Sequence, residues 1–88
     1  MLSPEIKAQV IAVLQARMIE DTAFRLVMGI SRATPLEEIE RRAKNYELCT
    51  RMVARRERTL ANMVIQQHNE ESEAEKNDSI TDTANQSL

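Results

Sequence analysis

The sequence predicts an all-α chain: a long antiparallel helical hairpin, paired into a four-helix bundle, with a disordered acidic C-terminal tail. Three observations predict it. The strong chain breakers are few, Gly29, Pro4 and Pro35, so sheet folds with many turns are excluded. Two segments open on helix-start signals and carry helical periodicity. The charge changes sign along the chain: residues 1–68 carry +3 and residues 69–88 carry −5, giving the net −2.

The first helix is expected over residues 4–28. Ser3 is placed to cap it, and Pro4 takes the first helical position, where a missing N–H costs nothing. Its length is about 38 Å at 1.5 Å per residue. Neither glycine nor proline interrupts it near Glu20-Asp21, so it is expected to run unbroken. Gly29 follows where the pattern ends, as a left-handed cap would require.

The capped turn covers residues 29–34 and the second helix residues 35–68. Thr34-Pro35-Leu36-Glu37 has the T-x-x-E pattern of a capping box, with proline at the first helical position. Thr34 would accept the Glu37 amide, and the Glu37 carboxylate would reach back to Thr34. Beyond it, Leu36, Ile39, Ala43, Tyr46, Thr50, Val53, Glu57, Leu60, Val64 and Gln67 recur at alternating steps of three and four. That is a heptad seam with polar interruptions at Thr50, Glu57 and Gln67. Residues 69–88 lack a periodic apolar face and form the expected tail, whose Asn77–Leu88 part reads as disordered.

The first helix has apolar residues on more than one side. Ala8, Ala12, Ile19, Ala23, Leu26 and Ile30 form one stripe. Ile6, Val10, Val13, Leu14, Phe24 and Met28 lie largely opposite. A helix at the surface of a globule has one apolar face. Two faces imply two neighbours: the second helix, and another chain. The first stripe is therefore the expected oligomer interface of a homodimer. A folded part of nearly seventy residues with two aromatics, Phe24 and Tyr46, has little core of its own.

On the second helix, Arg41, Lys44, Arg51, Arg55 and Arg58 share a face opposite the seam. Glu37 to Arg41, Glu38 to Arg42, Glu40 to Lys44 and Glu47 to Arg51 are i,i+4 pairs in the favourable order. Arg55, Arg56 and Arg58 lack such an upstream acid and are the bases most free for a partner. Internal methionines lie near the apolar stripes, where an adaptable side chain suits an irregular contact. The expected partner-binding residues are Arg51, Arg55, Arg56, Arg58, Met18, Phe24 and Met63.

Gly29-Ile30-Ser31-Arg32-Ala33-Thr34 resembles, over six residues, the turn of helix-turn-helix DNA-binding proteins. That resemblance implies a recognition helix after the turn. Two positions depart from it: Arg25, where the helices would touch, and Pro35, inside the helix that would read DNA. The capping box accounts for Thr34 and Pro35 directly.

No catalytic constellation is recognisable. Cys49, the single cysteine, reads as a small buried hydrophobe, and His68 lies about 28 Å further along the same helix. No glycine-rich phosphate loop occurs, and the Glu-x-x-His pattern of a di-metal bundle is missing because Ile65 takes the needed position. No cofactor, metal or small-molecule substrate is expected. No apolar run reaches the ~20 residues of a membrane span, and the N-terminus lacks a basic segment ahead of an apolar one, so a cytoplasmic protein is expected. The functional expectation is a small non-enzymatic interaction protein: an adaptor, inhibitor or regulatory subunit that binds a larger protein through apolar helix faces and a basic segment. The alternative is a nucleic-acid-binding hairpin dimer that contacts phosphates through the basic face of the second helix.

Overall fold

A computed structural model describes residues 2–87, with side chains described from Leu2 to Ala74. Among these residues there are two helices and no strand. Helix α1 spans Pro4–Met28 and α2 spans Leu36–Ser87. Helix α1 is unbroken through Glu20-Asp21, as its composition requires. Its start follows the sequence signal: the Ser3 hydroxyl accepts the Ile6 amide at 3.2 Å, with Pro4 in the first turn.

The two helices form an antiparallel hairpin. Contacts across it pair rising numbers on α1 with falling numbers on α2. Arg17 ion-pairs with Glu57 at 2.8 Å, and Phe24 meets Tyr46 with ring centroids 5.8 Å apart. Arg42 then reaches the Leu26 carbonyl at 3.0 Å. Helix α2 returns along α1, so the likeness of the turn to a helix-turn-helix does not extend to the arrangement of the helices.

The turn differs from expectation at two residues. Gly29 has φ −80 and ψ 0, in the right-handed region. Its amide still donates to Arg25, and the Ile30 amide donates to Val27 at 3.1 Å. The last turn thus tightens and closes its carbonyls without a left-handed residue. At the start of α2 the capping box does not form. The Thr34 hydroxyl turns back and accepts the Ser31 amide at 3.0 Å, and no hydrogen bond joins Thr34 to Glu37 among the described residues. The Pro35 carbonyl receives the Glu38 and Ile39 amides instead, so the first turn of α2 begins one residue later than expected. The hydroxyl satisfies the tight turn in preference to the helix end.

Helix α2 also continues beyond His68, where the sequence pattern ended it, and its backbone is helical to Ser87. Glutamates and small polar residues through Ala74 tolerate this extension, and Gln66 and Gln67 each donate to a glutamate four residues on. The expected disordered character of Asn77–Leu88 lies outside the residues whose side chains are described.

The core is narrow. Its buried residues are Ile6, Val13, Ala16 and Ala23 of α1 and Cys49 and Val53 of α2. On α2 the inward positions are Ile39, Arg42, Tyr46, Cys49, Val53, Arg56, Leu60, Met63 and Gln67, all buried or half-buried. This is a regular heptad seam, and it agrees with the expected one only in part. Ile39, Tyr46, Val53, Leu60 and Gln67 coincide. Thr50 and Glu57 are also half-buried, beside Cys49 and Arg56, and Glu57 pairs with Arg17 across the hairpin, whereas Leu36, Ala43 and Val64 are exposed and Arg42 and Met63 face inward. The cause is that two of the inward positions carry arginine, which an apolar pattern passes over. Helix α1 matches with Ile6, Gln9, Val13, Ala16, Glu20, Ala23, Val27 and Ile30, all buried or half-buried. Alanines at 16 and 23 let the backbones approach, and Ala16 is fully buried.

Candidate interaction site

The hairpin seam uses small and polar residues, and most of the large apolar side chains lie outside it. Ile11, Leu14, Met18, Ile19, Phe24, Leu26, Met28 and Leu48 are all at least two-fifths exposed. In heptad terms they fall on both flanks of the seam and on the back of α1. One flank carries Ala8, Ala12, Ile19 and Leu26, joined from α2 by Leu48 and Met52. The other carries Val10, Leu14, Phe24 and Met28.

The expected oligomer stripe is therefore placed on one side of the hairpin, with one correction. Ala8, Ile19 and Leu26 are exposed, and Ala12 and Ile30 half-buried. Ala23 is only 2% exposed, because it lies in the seam against α2 and cannot meet another chain. Leu48 and Met52 were not anticipated for this flank. Accepting arginine as a seam residue would have placed them there, since the steps Ile39, Arg42, Tyr46, Cys49 and Val53 are as regular as the apolar series.

The expected partner-binding residues separate into three groups. Met18 is the most exposed of the large apolar side chains, at 70%, on the back of α1; with Leu14, Arg17, Asp21 and Thr22 it lines an apolar depression. Phe24 is partly covered by Tyr46 and lines a second depression with Arg17 and Glu57. Met63 is half-buried beside Ile6 and Gln67 at the open end of the hairpin, so it belongs to the edge of the fold.

The arginines also divide. Arg56 is not free, which corrects the expectation. Its guanidinium crosses the seam and donates to the Ala12 carbonyl at 2.9 Å. Arg51 is exposed but ion-paired with Glu47. Arg55 and Arg58 are exposed, and among the described residues neither side chain forms an ion pair within 4 Å. Lys44 is likewise unpaired, so the expected Glu40–Lys44 bridge is not formed. At the start of α2, Glu38 rather than Glu37 receives Arg41, while Arg42 takes the expected bond to Glu38. Hydrogen bonds from Arg41 and then Arg42 hold the Glu38 carboxyl down at about 2, against an ordinary value of 4.5.

Cys49 is buried and unpaired in the seam. Among the described residues no cluster of three or more histidine, cysteine, aspartate or glutamate side chains is arranged to hold a metal ion. Among the same residues no helix is long and apolar enough to cross a membrane. Comparison with protein-family models, with curated proteins and with solved structures finds no match.

Proposed function

We propose that the chain is a small cytoplasmic, non-enzymatic interaction protein, an adaptor, inhibitor or regulatory subunit that works as a homodimer. Two hairpins pair into a four-helix bundle and present a basic segment and an apolar depression to a larger protein. The observation that carries this reading is the distribution of apolar residues. The seam takes Gln9, Glu20, Arg42 and Arg56, while Ile19, Leu26, Leu48, Phe24 and Met18 face outward. A chain that folded only on itself would gain more by the reverse arrangement.

Arg55 and Arg58 form the charged part of the surface. They project from α2 without an ion-pair partner among the described residues and suit an acidic protein surface. Met18 and its neighbours supply an apolar contact on the back of α1.

Affinity capture with the full chain, compared with Arg55→Glu plus Arg58→Glu, tests the proposal. A protein retained by the wild type and lost with the double variant supports it. Identical captures would overturn the role of the basic segment. Retardation of RNA or DNA that weakens steeply with salt, and vanishes in the same variant, would replace the protein partner with a nucleic acid.

A further inference from the structure

Helix α2 carries a second line of residues at heptad spacing, on the side away from α1. Leu48, Arg51, Arg55, Arg58, Asn62 and Ile65 recur at alternating steps of three and four, so they share one face of the helix. The seam against α1 runs through Cys49, Val53, Arg56 and Leu60 on the other side. All six outward residues are exposed, Leu48 at 53% and Ile65 at 57%. From Leu48 to Ile65 the line is about 25 Å long at 1.5 Å per residue.

The charge of this line is one-sided. Between Leu48 and Ile65 the sequence has one carboxylate, Glu57, which faces away and is held by Arg17 across the hairpin. Arg51 draws on Glu47, just before the line begins. Arg55 and Arg58 have no ion pair within 4 Å among the described residues. Like charges three and four residues apart repel along a helix. Elsewhere on the hairpin a carboxylate relieves the arginines: Arg25 has Asp21, and Arg41 and Arg42 have Glu38. For Arg55 and Arg58 that carboxylate has to come from outside.

We infer that this line docks one acidic helix of a partner protein, laid along α2 from Leu48 to Ile65, a reading that rests on the proposed protein partner and adds its chemistry and its path. The docked helix carries carboxylates at heptad steps and an apolar residue at each end. A neighbouring helix repeats at the same spacing as α2, so its carboxylates meet Arg51, Arg55 and Arg58 in turn. A second copy does not suit the line, because set against itself about its midpoint it places arginine opposite arginine in either direction. A phosphate backbone matches the arginines but offers nothing to Leu48 and Ile65, both more than half exposed. Exposed ion pairs contribute little by themselves. The arginines therefore select the partner, and Leu48 and Ile65 anchor it.

The probe is a synthetic helical peptide of about three heptads, with glutamate at the positions that meet the arginines and leucine at those that meet Leu48 and Ile65. Fluorescence anisotropy measures its binding to the full chain. A counterpart with glutamine for glutamate should bind at least tenfold more weakly, and added salt should narrow the difference. Arg55→Glu plus Arg58→Glu should lower the affinity for the glutamate peptide at least tenfold. Leu48→Ala and Ile65→Ala should each lower it at least threefold, with helical circular dichroism retained. Lys7→Glu plus Arg25→Glu, the same charge change on the back of α1, should leave it unchanged. Equal binding of the two peptides, or none by either at 100 μM, on the order of the weakest useful affinity, would overturn the docking line. Loss with the arginine pair but not with Leu48→Ala or Ile65→Ala would overturn the anchored helix in favour of a diffuse acidic contact. Tighter binding of single-stranded RNA or duplex DNA, lost in the same arginine variant, would replace the acidic helix with a nucleic acid. Should the peptide fail while affinity capture still depends on Arg55 and Arg58, the docking line falls and the broader proposal stands; should both fail, both fall.

Discussion

The Arg56 guanidinium donates to the main-chain carbonyl of Ala12 at 2.9 Å, and Arg42 repeats the contact on the carbonyl of Leu26 at 3.0 Å. The donors lie fourteen residues apart on α2 and the acceptors fourteen residues apart on α1, so one geometry recurs after two heptads. A helix carbonyl has a second lone pair after its own hydrogen bond, and each arginine uses it. The Gln9 amide returns a bond to the Arg56 carbonyl from the other side. Sliding α2 by a single turn breaks all three contacts, so these polar residues set the register of a seam whose apolar part is thin.

Arg56→Ala should therefore destabilise the hairpin by about 1–2 kcal/mol, because it removes a charged donor from a half-buried site. Arg55→Ala, one residue away and exposed, should stay within about 0.5 kcal/mol. Urea denaturation at one fixed protein concentration checks the contrast. Equal losses at the two positions would show that Arg56 contributes no more than surface charge.

Ala16 allows the close approach of the helices. It is fully buried, whereas Ala61 is exposed on α2. Ala16→Leu should cost about 1–3 kcal/mol through overpacking. Ala61→Leu should change stability by no more than about 0.5 kcal/mol. Thermal melts of the two variants distinguish them directly.

At Gly29 the expected effect has the opposite sign. Its backbone is right-handed, and a Cβ there would lie 3.6 Å from the Arg25 and Leu26 carbonyls and 3.7 Å from Arg42 Nη1, all ordinary contacts. Gly29→Ala should stabilise the protein by about 0.4–1 kcal/mol, by restricting the unfolded chain. A lowered melting temperature would mean that the turn uses a left-handed glycine after all.

Stability should also respond to acid through Glu38. Its carboxyl titrates at about 2 in the folded chain, below its ordinary 4.5, because Arg41 and Arg42 hold the carboxylate. A depressed folded value contributes stability that is complete above pH 4.5 and is lost as pH falls towards 2. Wild type should exceed Glu38→Gln in stability at neutral pH by a constant margin, and the margin should close across that window. Denaturation series at stepped pH measure it. A margin that persists unchanged at pH 2 would rule out ionisation of Glu38 as its source.

Several features were legible before any coordinates. Ser3-Pro4 placed the start of α1 because a cap and a proline act within one turn and need nothing distant. The uninterrupted run from Pro4 to Met28 and the pair of breakers around the turn gave two helices for the same reason. The loss of apolar residues after His68 was visible too, but it marks only where packing ends. The backbone of α2 continues helical beyond it.

Local signals failed where a side chain had two uses within reach. The T-x-x-E pattern points to Thr34 as a helix cap, yet its hydroxyl closes the turn on Ser31. Arg56 lacks an acid four residues upstream, yet its partner is a carbonyl forty-four positions away in sequence. Ala23 shares an apolar stripe that points to a second chain, yet it is buried against α2. Nothing short-range separates these alternatives.

The sequence by itself determined the helical class, the first helix, the turn and the excess of apolar residues over what one hairpin can bury. Those follow from backbone chemistry and from periodicity, both of which act over a few residues. Tertiary structure decided the rotation of α2 about its axis. Beside Ala43, Thr50, Glu57 and Val64, of which Thr50 and Glu57 stay half-buried, the observed rotation brings Arg42, Cys49, Arg56 and Met63 into the seam. Apolar character does not separate the two sets, since each has two apolar members. The contacts that favour the second are arginine side chains long enough to reach the carbonyls of α1, and alanines at 16 and 23 that bring those carbonyls close. That rotation, in turn, leaves Ile19, Leu26, Leu48 and Met52 together on one flank.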